Sequence, residues 1–205
     1  MGGVTMWPLT AYSVAVIFIM IERIIYFSYY NRRMDDLTSA VSGYIAQNDI
    51  AGAETFLSAL VKRRLGARVI LSLLKHSKPE KGVPFSEHRA ERAAEAESTS
   101  CLSSLETYLN FMIALGSLSP LTGFLGTAIG MISAFKSISE AAEVNAQLVA
   151  SGIYQALITS VVGLTIAIIA IITHAIFTNL IDQFAADIER NCSRLILELA
   201  DHYET

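Results

Sequence analysis

The chain has 205 residues, of which 53% are hydrophobic and only 17% charged, with a formal net charge of −4. Soluble domains carry about a quarter charged residues, so the deficit points to a bilayer, and the negative balance gives no reason to expect nucleic-acid binding. The length would suit one or two ordinary domains, but the distribution of charge argues for one membrane unit with a soluble appendage.

Crossing a bilayer takes about 20 largely apolar residues in a helix. The first such segment runs from Met6 to Tyr30 and is interrupted only by Glu22 and Arg23 near its far end. The preceding MGGVTM has no Lys or Arg, whereas a signal peptide needs a positive n-region, so residues 1–30 read as an N-terminus followed by a retained first membrane helix.

Residues 31–107 read as a helical soluble region. In MDDLTSAVSGYIA (34–46), Leu37, Val41, Tyr44 and Ile45 share one helix face. The turn at Asn48 and Asp49 caps a second helix whose expected apolar side is Ala51, Phe56, Leu57 and Leu60. A third run, Arg68 to His76, stops before KPEKGVP, the clearest loop in the chain. Ser86 is placed to cap a further helix, with Glu87 favourable in its first turn. No breaker separates that helix from the second membrane segment, 108–135.

A short connection, 136–143, leads to the third membrane segment, 144–181, which continues as a helix through 182–205. Phe184, Ile188, Cys192, Leu195 and Leu199 form an apolar stripe there, read as the core of an intramolecular bundle in preference to a partner-binding face. The fold class expected is therefore all-α: three transmembrane helices, two of them extending into a cytoplasmic helical bundle. Arg32, Arg33, Arg89 and Arg92 flank the long loop, Arg190 and Arg194 follow the third span, and Lys136 alone lies in the short connection. The positive-inside rule then places the N-terminus and 136–143 outside and the 31–107 region and C-terminus in the cytoplasm. Cys101 and Cys192 fall on the reducing side, as packing residues.

No phosphate loop, nucleophile elbow or metal-ligand spacing occurs, and the four histidines are scattered, so neither an enzyme, a cofactor nor a metal site is expected. The informative pattern is a stripe of small residues. In the second span Gly116, Ser119, Gly123, Gly126, Thr127, Gly130 and Ser133 recur every three or four positions, and in the third Gly152, Ala156, Ser160, Gly163, Ala167 and Ala170 do the same. Such stripes let backbones approach closely where lipid offers no hydrophobic drive, so Gly116, Gly123, Gly126, Gly130, Gly152 and Gly163 are read as helix-packing positions. Pro120 is expected to bend the second span and free a carbonyl.

A polar subset stands apart. Antiparallel neighbours bring Thr127 to the depth of Gln155, Thr159 and Ser160. These groups either bond helix to helix or line a narrow wet path, and composition does not choose between the two. Neither span contains Asp, Glu, Lys or Arg, and a proton relay generally needs a titratable group. Either the chain conducts nothing, or a partner supplies the carboxylate.

SPLTGFLGTAIGMISAF (119–135), GIYQALITSVVGLTIAI (152–168) and MWPLTAYSVAVIFIMIER (6–23) resemble, in order and spacing, the three spans of the MotA/TolQ/ExbB proton channel family, and are most similar to its ExbB branch. The resemblance implies a bacterial inner-membrane homopentamer around a dimer of single-span ExbD-like partners, whose membrane aspartate takes up and releases protons. In that branch the proton-motive force so harnessed energises a TonB-like protein for outer-membrane import. By motif position Thr127 and Ser160 match pore-facing hydroxyls, while Gln155 replaces the glutamate of many ExbB members, leaving the essential acid to the partner. A TolQ-type role in envelope integrity is the runner-up, and a non-conducting oligomeric scaffold the rival of another class. A MotA-type role fits less well, because that branch has four spans.

Overall fold

A computed structural model of the chain describes residues 5–30, 34–78, 85–140 and 146–204, and among these the fold is all-helical. The elements are α1 (Met6–Tyr30), α2 (Met34–Ala46), α3 (Ile50–Leu60), α4 (Leu65–Ser77), α5 (Glu87–Glu140) and α6 (Ala146–Glu204). Of these, α1, α5 and α6 each contain a stretch long and apolar enough to cross a membrane. The chain divides into two compact units, Met1–Arg23 with Thr107–Thr178 and Ile24–Glu106 with Asn179–Thr205.

The unit built from Ile24–Glu106 and Asn179–Thr205 has an ordinary apolar core. α2 buries Met34, Leu37, Val41 and Ile45, and α4 buries Leu65, Val69, Ile70, Leu73 and Leu74. The turn between α2 and α3 places Asn48 at φ 57, a left-handed conformation that asparagine tolerates better than most residues. Asp49 then caps α3 by accepting from the Gly52 amide at 2.8 Å. That cap fixes the phase of α3, which corrects the expected apolar side: Ala53 and Leu57 are buried, Ala51 is exposed, and Phe56 packs instead on Tyr44 with ring centroids 5.9 Å apart.

α4 begins at Leu65, earlier than the apolar run suggested, because Leu65 itself joins the core. Most of the expected KPEKGVP loop (79–84) lies outside the described residues, but its flanks are tied down. Lys78 Nζ pairs with Glu54 Oε2 at 2.8 Å, and Arg89 donates to the carbonyls of His76 (2.9 Å) and Lys78 (2.8 Å). α5 starts at Glu87, where the Ser86 carbonyl accepts from the Arg89 and Ala90 amides. Its first turns are tied to α4 by the Arg68–Glu97 ion pair (2.5 Å) and by Ser72 Oγ donating to the Ala93 carbonyl (3.1 Å).

The stripe on α6 is core from Ile188 onward, while Phe184 at its start is half-buried. Ile188, Cys192, Leu195 and Leu199 are buried, and beside them Asn191 Nδ2 donates to Asp35 Oδ1 at 3.2 Å. Burial pushes the Cys192 thiol up to about 12, and raises that of Cys101 with Arg68 opposing.

The unit built from Met1–Arg23 and Thr107–Thr178 is organised differently. α1 buries Leu9, Val16 and Ile19 on one side while its other side shows Trp7, Val14, Phe18 and Ile21. A helix apolar all round belongs in lipid or in a large core. α5 and α6 meet through their small residues, and the partners step down α6 as they step up α5. A Cβ added at Gly116 would stand 3.0 Å from the Ala170 Cβ, one at Gly130 2.8 Å from the Ala156 Cβ, and one at Gly152 2.5 Å from the Ala134 Cβ.

At the centre the backbones themselves touch. A Cβ on Gly163 would lie 2.5 Å from the Ser119 carbonyl oxygen, and one on Gly123 2.8 Å from that of Thr159. Gly116, Gly123 and Gly130 thus face Ala170, Gly163 and Ala156, a seven-residue step on both helices, which is the repeat of a left-handed coiled coil. The step corrects one position of the expected stripe: Ala134 is buried against Gly152, and Ser133 is exposed. α5 runs on through Pro120, whose missing N–H leaves the Gly116 carbonyl without its helical donor. It also covers 136–140, the first part of the expected connection, since KSISE contains no breaker; 141–145 lie outside the described residues.

Gly163→Ala is expected to force α5 and α6 apart and lower the thermal midpoint in detergent. Gly43→Ala, with nothing within 4 Å of the added methyl, should instead stabilise α2 by about 0.5–1 kcal/mol. Equal midpoints for the two variants would contradict the described backbone contact. For Cys192 the folded thiol value lies above the ordinary 9.0. The stability gained by keeping it neutral is therefore complete below pH 9 and is lost as the pH rises toward 12. Burial and the raised thiol value both keep the reactive thiolate scarce at pH 8, so iodoacetamide should leave Cys192 intact until the protein is denatured; prompt labelling of the folded chain would refute its burial.

Candidate functional site: a hydroxyl cluster between the long helices

Close approach at Gly123 and Gly163 brings polar side chains of α5 and α6 together in the next turn. Thr127 Oγ1 and Ser160 Oγ are in hydrogen-bond contact, the closest approach in the cluster. Thr127 Oγ1 also reaches the carbonyls of Ala156 (3.1 Å) and Gly123 (3.2 Å), and Ser160 Oγ reaches the Gly123 carbonyl at 3.2 Å. Thr159 Oγ1 donates to the Ala156 carbonyl at 2.7 Å and lies 3.3 Å from that of Gly123. Three hydroxyls from two helices thus share two backbone carbonyls.

Each hydroxyl carries one proton and can accept from another. Three donors facing two carbonyls and one another have more than one way of satisfying themselves, and rotation of the O–H groups exchanges those ways without moving the backbone. None of the groups titrates near neutrality. The cluster can therefore orient water or a passing cation and pass on a proton's hydrogen bonds, but it cannot store a charge. In the membrane interior such hydroxyl bonds also hold helices together, each by about 0.6 kcal/mol on average.

The four positions singled out by sequence divide three to one. Thr127, Thr159 and Ser160 converge; Gln155 does not join them, although it is half-buried. The reason is position along the helix. Gln155 shares a ridge of α6 with Thr159 but sits one turn farther toward the start of α6, beyond the Ala156 and Gly123 carbonyls on which the hydroxyls meet.

One buried charge escaped the reading of the spans. Arg23, taken from the sequence only as an interruption of α1, is 2% exposed. Its Nε donates to Glu22 Oε2 at 2.9 Å, and its guanidinium lies 4.8 Å from the centroid of the Tyr108 ring. The signal available beforehand was the presence of an ionisable residue inside an apolar helix, which by itself marks a position of interest. Apolar periodicity could not say that Arg23 lay on the inner face, in register with Leu9, Val16 and Ile19.

Comparison with known proteins gives this arrangement a context. A model of the MotA/TolQ/ExbB proton channel family matches residues 62–190, which include the whole cluster. Putative biopolymer transport protein ExbB-like 3 of Synechocystis sp. is 30% identical over 189 residues, covering 90% of this chain and 85% of that protein. Tol-Pal system protein TolQ of Haemophilus influenzae is 35% identical over 100 residues, and biopolymer transport protein ExbB of Salmonella typhimurium 30% over 87. These last two matches span only 44% and 36% of the relatives' own lengths. Among solved structures, C. jejuni MotAB has the same fold, with a TM-score of 0.56 at 14% identity, covering 98% of this chain and 75% of that one. With a family match over more than half its length and a relative aligned nearly end to end, the chain belongs to the MotA/TolQ/ExbB proton channel family.

Proposed function

We propose that the chain is an ExbB-type subunit of an inner-membrane motor driven by the proton-motive force, in which Thr127 and Ser160 form one wall of the ion path. The observation that carries this reading is the hydroxyl cluster itself: two spans without acidic residues, held so close that three hydroxyls and two carbonyls meet. A wall of this kind stabilises an ion in transit without trapping it, because no fixed charge has to be neutralised.

The titrating group then belongs to a partner. An ExbD-like single-span protein would present a membrane aspartate to Thr127 and Ser160, within a homo-oligomer, a pentamer by resemblance, of this chain. Gln155 has an amide where many ExbB members have a glutamate, and the amide cannot take up a proton. This favours the partner's carboxylate as the only proton store. The distribution of Arg and Lys supports an N-terminus on the periplasmic side and a C-terminus in the cytoplasm. The work performed would be energising a TonB-like protein for outer-membrane import. A TolQ-type role in envelope integrity is the second reading, favoured by the 35% identity to the Haemophilus influenzae protein across 100 residues.

Thr127→Val keeps the shape of the side chain and removes its hydroxyl. It should abolish proton-motive work in cells that depend on this protein, while native mass spectrometry of the complex purified with its partner shows the oligomer intact. Gln155→Leu should harm the same work less than replacement of the partner's carboxylate. Full energisation by the Thr127→Val protein would remove Thr127 from the ion path and leave the small-residue stripes with packing alone.

A further inference from the structure

Among the described residues, six glycines of the membrane unit leave a space where a methyl would stand, and five of these spaces are filled as packing requires. Gly116, Gly130 and Gly152 face alanine methyls, while Gly123 and Gly163 face backbone. Gly126 differs. The two atoms nearest its missing methyl are hydroxyl oxygens, Thr159 Oγ1 and Thr5 Oγ1, each 2.7 Å away. Thr159 comes from α6, and Thr5 is the residue immediately before α1.

Tight packing alone selects apolar atoms for such a space, because a hydroxyl inside a membrane needs a partner. Two oxygens at that distance from one point are also no farther apart than a single bridging water can span. The usual employment of a threonine just before a helix is to cap it, through the amide of the second or third helical residue. Here the third residue is Pro8, which has no amide hydrogen to offer, so only the Trp7 amide is left to cap. The Thr5 hydroxyl points to the Gly126 space instead. Thr159, 1% exposed, is the member of the set that shares both the Ala156 and Gly123 carbonyls with Thr127.

We propose that Thr5 is a positioning residue for the hydroxyl cluster. Its hydroxyl, through one bridging water, holds Thr159 against the Ala156 and Gly123 carbonyls, and so fixes which acceptors remain to Thr127 and Ser160. The start of α1 thereby belongs to the site, and Gly126 is kept small to admit two oxygens rather than to bring two backbones together. The inference rests on the reading of Thr127 and Ser160 as the ion-path pair.

The test compares Thr5→Ser, which keeps the hydroxyl, with Thr5→Ala and Thr5→Val, which lose it, and runs Thr127→Val beside them. Each full-length variant is produced with its partner, assembly is read by native mass spectrometry, and proton-motive work is measured in dependent cells. Thr5→Ala and Thr5→Val are expected to assemble and to work about three- to tenfold more slowly, the effect of one lost hydrogen bond, and Thr5→Ser to recover at least half of the rate. Should Thr5→Val fail to assemble, the ratio of Thr5→Ser to Thr5→Ala still isolates the hydroxyl. Wild-type rates for Thr5→Ala beside an inactive Thr127→Val would overturn the role of Thr5 and leave the ion-path pair standing. So would equal losses in Thr5→Ser and Thr5→Ala, since the methyl would then be what matters. Full activity of Thr127→Val would overturn both readings together.

Discussion

The contact between Gly123 on α5 and Gly163 on α6 governs the membrane unit. Side chains at either position would hold the helix axes apart, and the Thr127–Ser160 contact one turn away depends on their being close. Lipid is as apolar as a leucine side chain, so no hydrophobic drive joins these helices; van der Waals contact and interhelical hydrogen bonds must suffice. Both increase as the backbones approach, and glycine is what permits the approach. The seven-residue step that pairs 116 with 170, 123 with 163 and 130 with 156 spreads the same geometry over four turns.

The second unit follows the opposite logic. Its core is assembled from Leu37, Val41, Leu57, Ile70, Leu73, Leu195 and Leu199, large side chains whose removal from water is the driving force. Polar contacts there close the ends of elements, Asp49 on α3 and Arg89 over the end of α4, or tie one helix to another, as Ser72 and Asn191 do. A substitution that enlarges a residue is therefore most damaging in the membrane unit, and one that shrinks a residue is most damaging in the other. One chain thus carries two packing rules, and α5 and α6 change from one to the other along their length.

How much of this could be read from the sequence depends on the kind of signal. Spans and small-residue stripes are periodic, so Gly116 to Gly130 and Gly152 to Ala170 were legible as facing surfaces. Which residue meets which was not, because register is a property of two helices together; Ser133 fits the period but Ala134 meets Gly152. The same limit applies at the site. Thr127 and Ser160 emerged from depth alone, whereas Gln155, on the same ridge as Thr159 but one turn nearer the start of α6, falls outside the contact. Arg23 was visible as a charge, but its burial against Tyr108 depends on the face α1 turns inward. Thr5 gave no signal at all, since a threonine before a helix is ordinarily a cap.

The absence of fixed charge in α5 and α6 across the cluster also has an energetic meaning. A carboxylate held permanently beside Thr127 would need a counter-charge or a large desolvation cost in this interior, and would bind a cation too firmly to release it. Hydroxyls and carbonyls supply partial charges that are already oriented by the helices, so an arriving charge meets dipoles requiring little rearrangement. A charge carried on a separate, movable element can then enter and leave the site with its protonation state. On the proposed reading the neutral wall and a partner's mobile acid are complementary requirements: the wall must be rigid enough to hold its dipoles, which the contact of Gly123 with Gly163 favours, and bland enough not to retain what it stabilises.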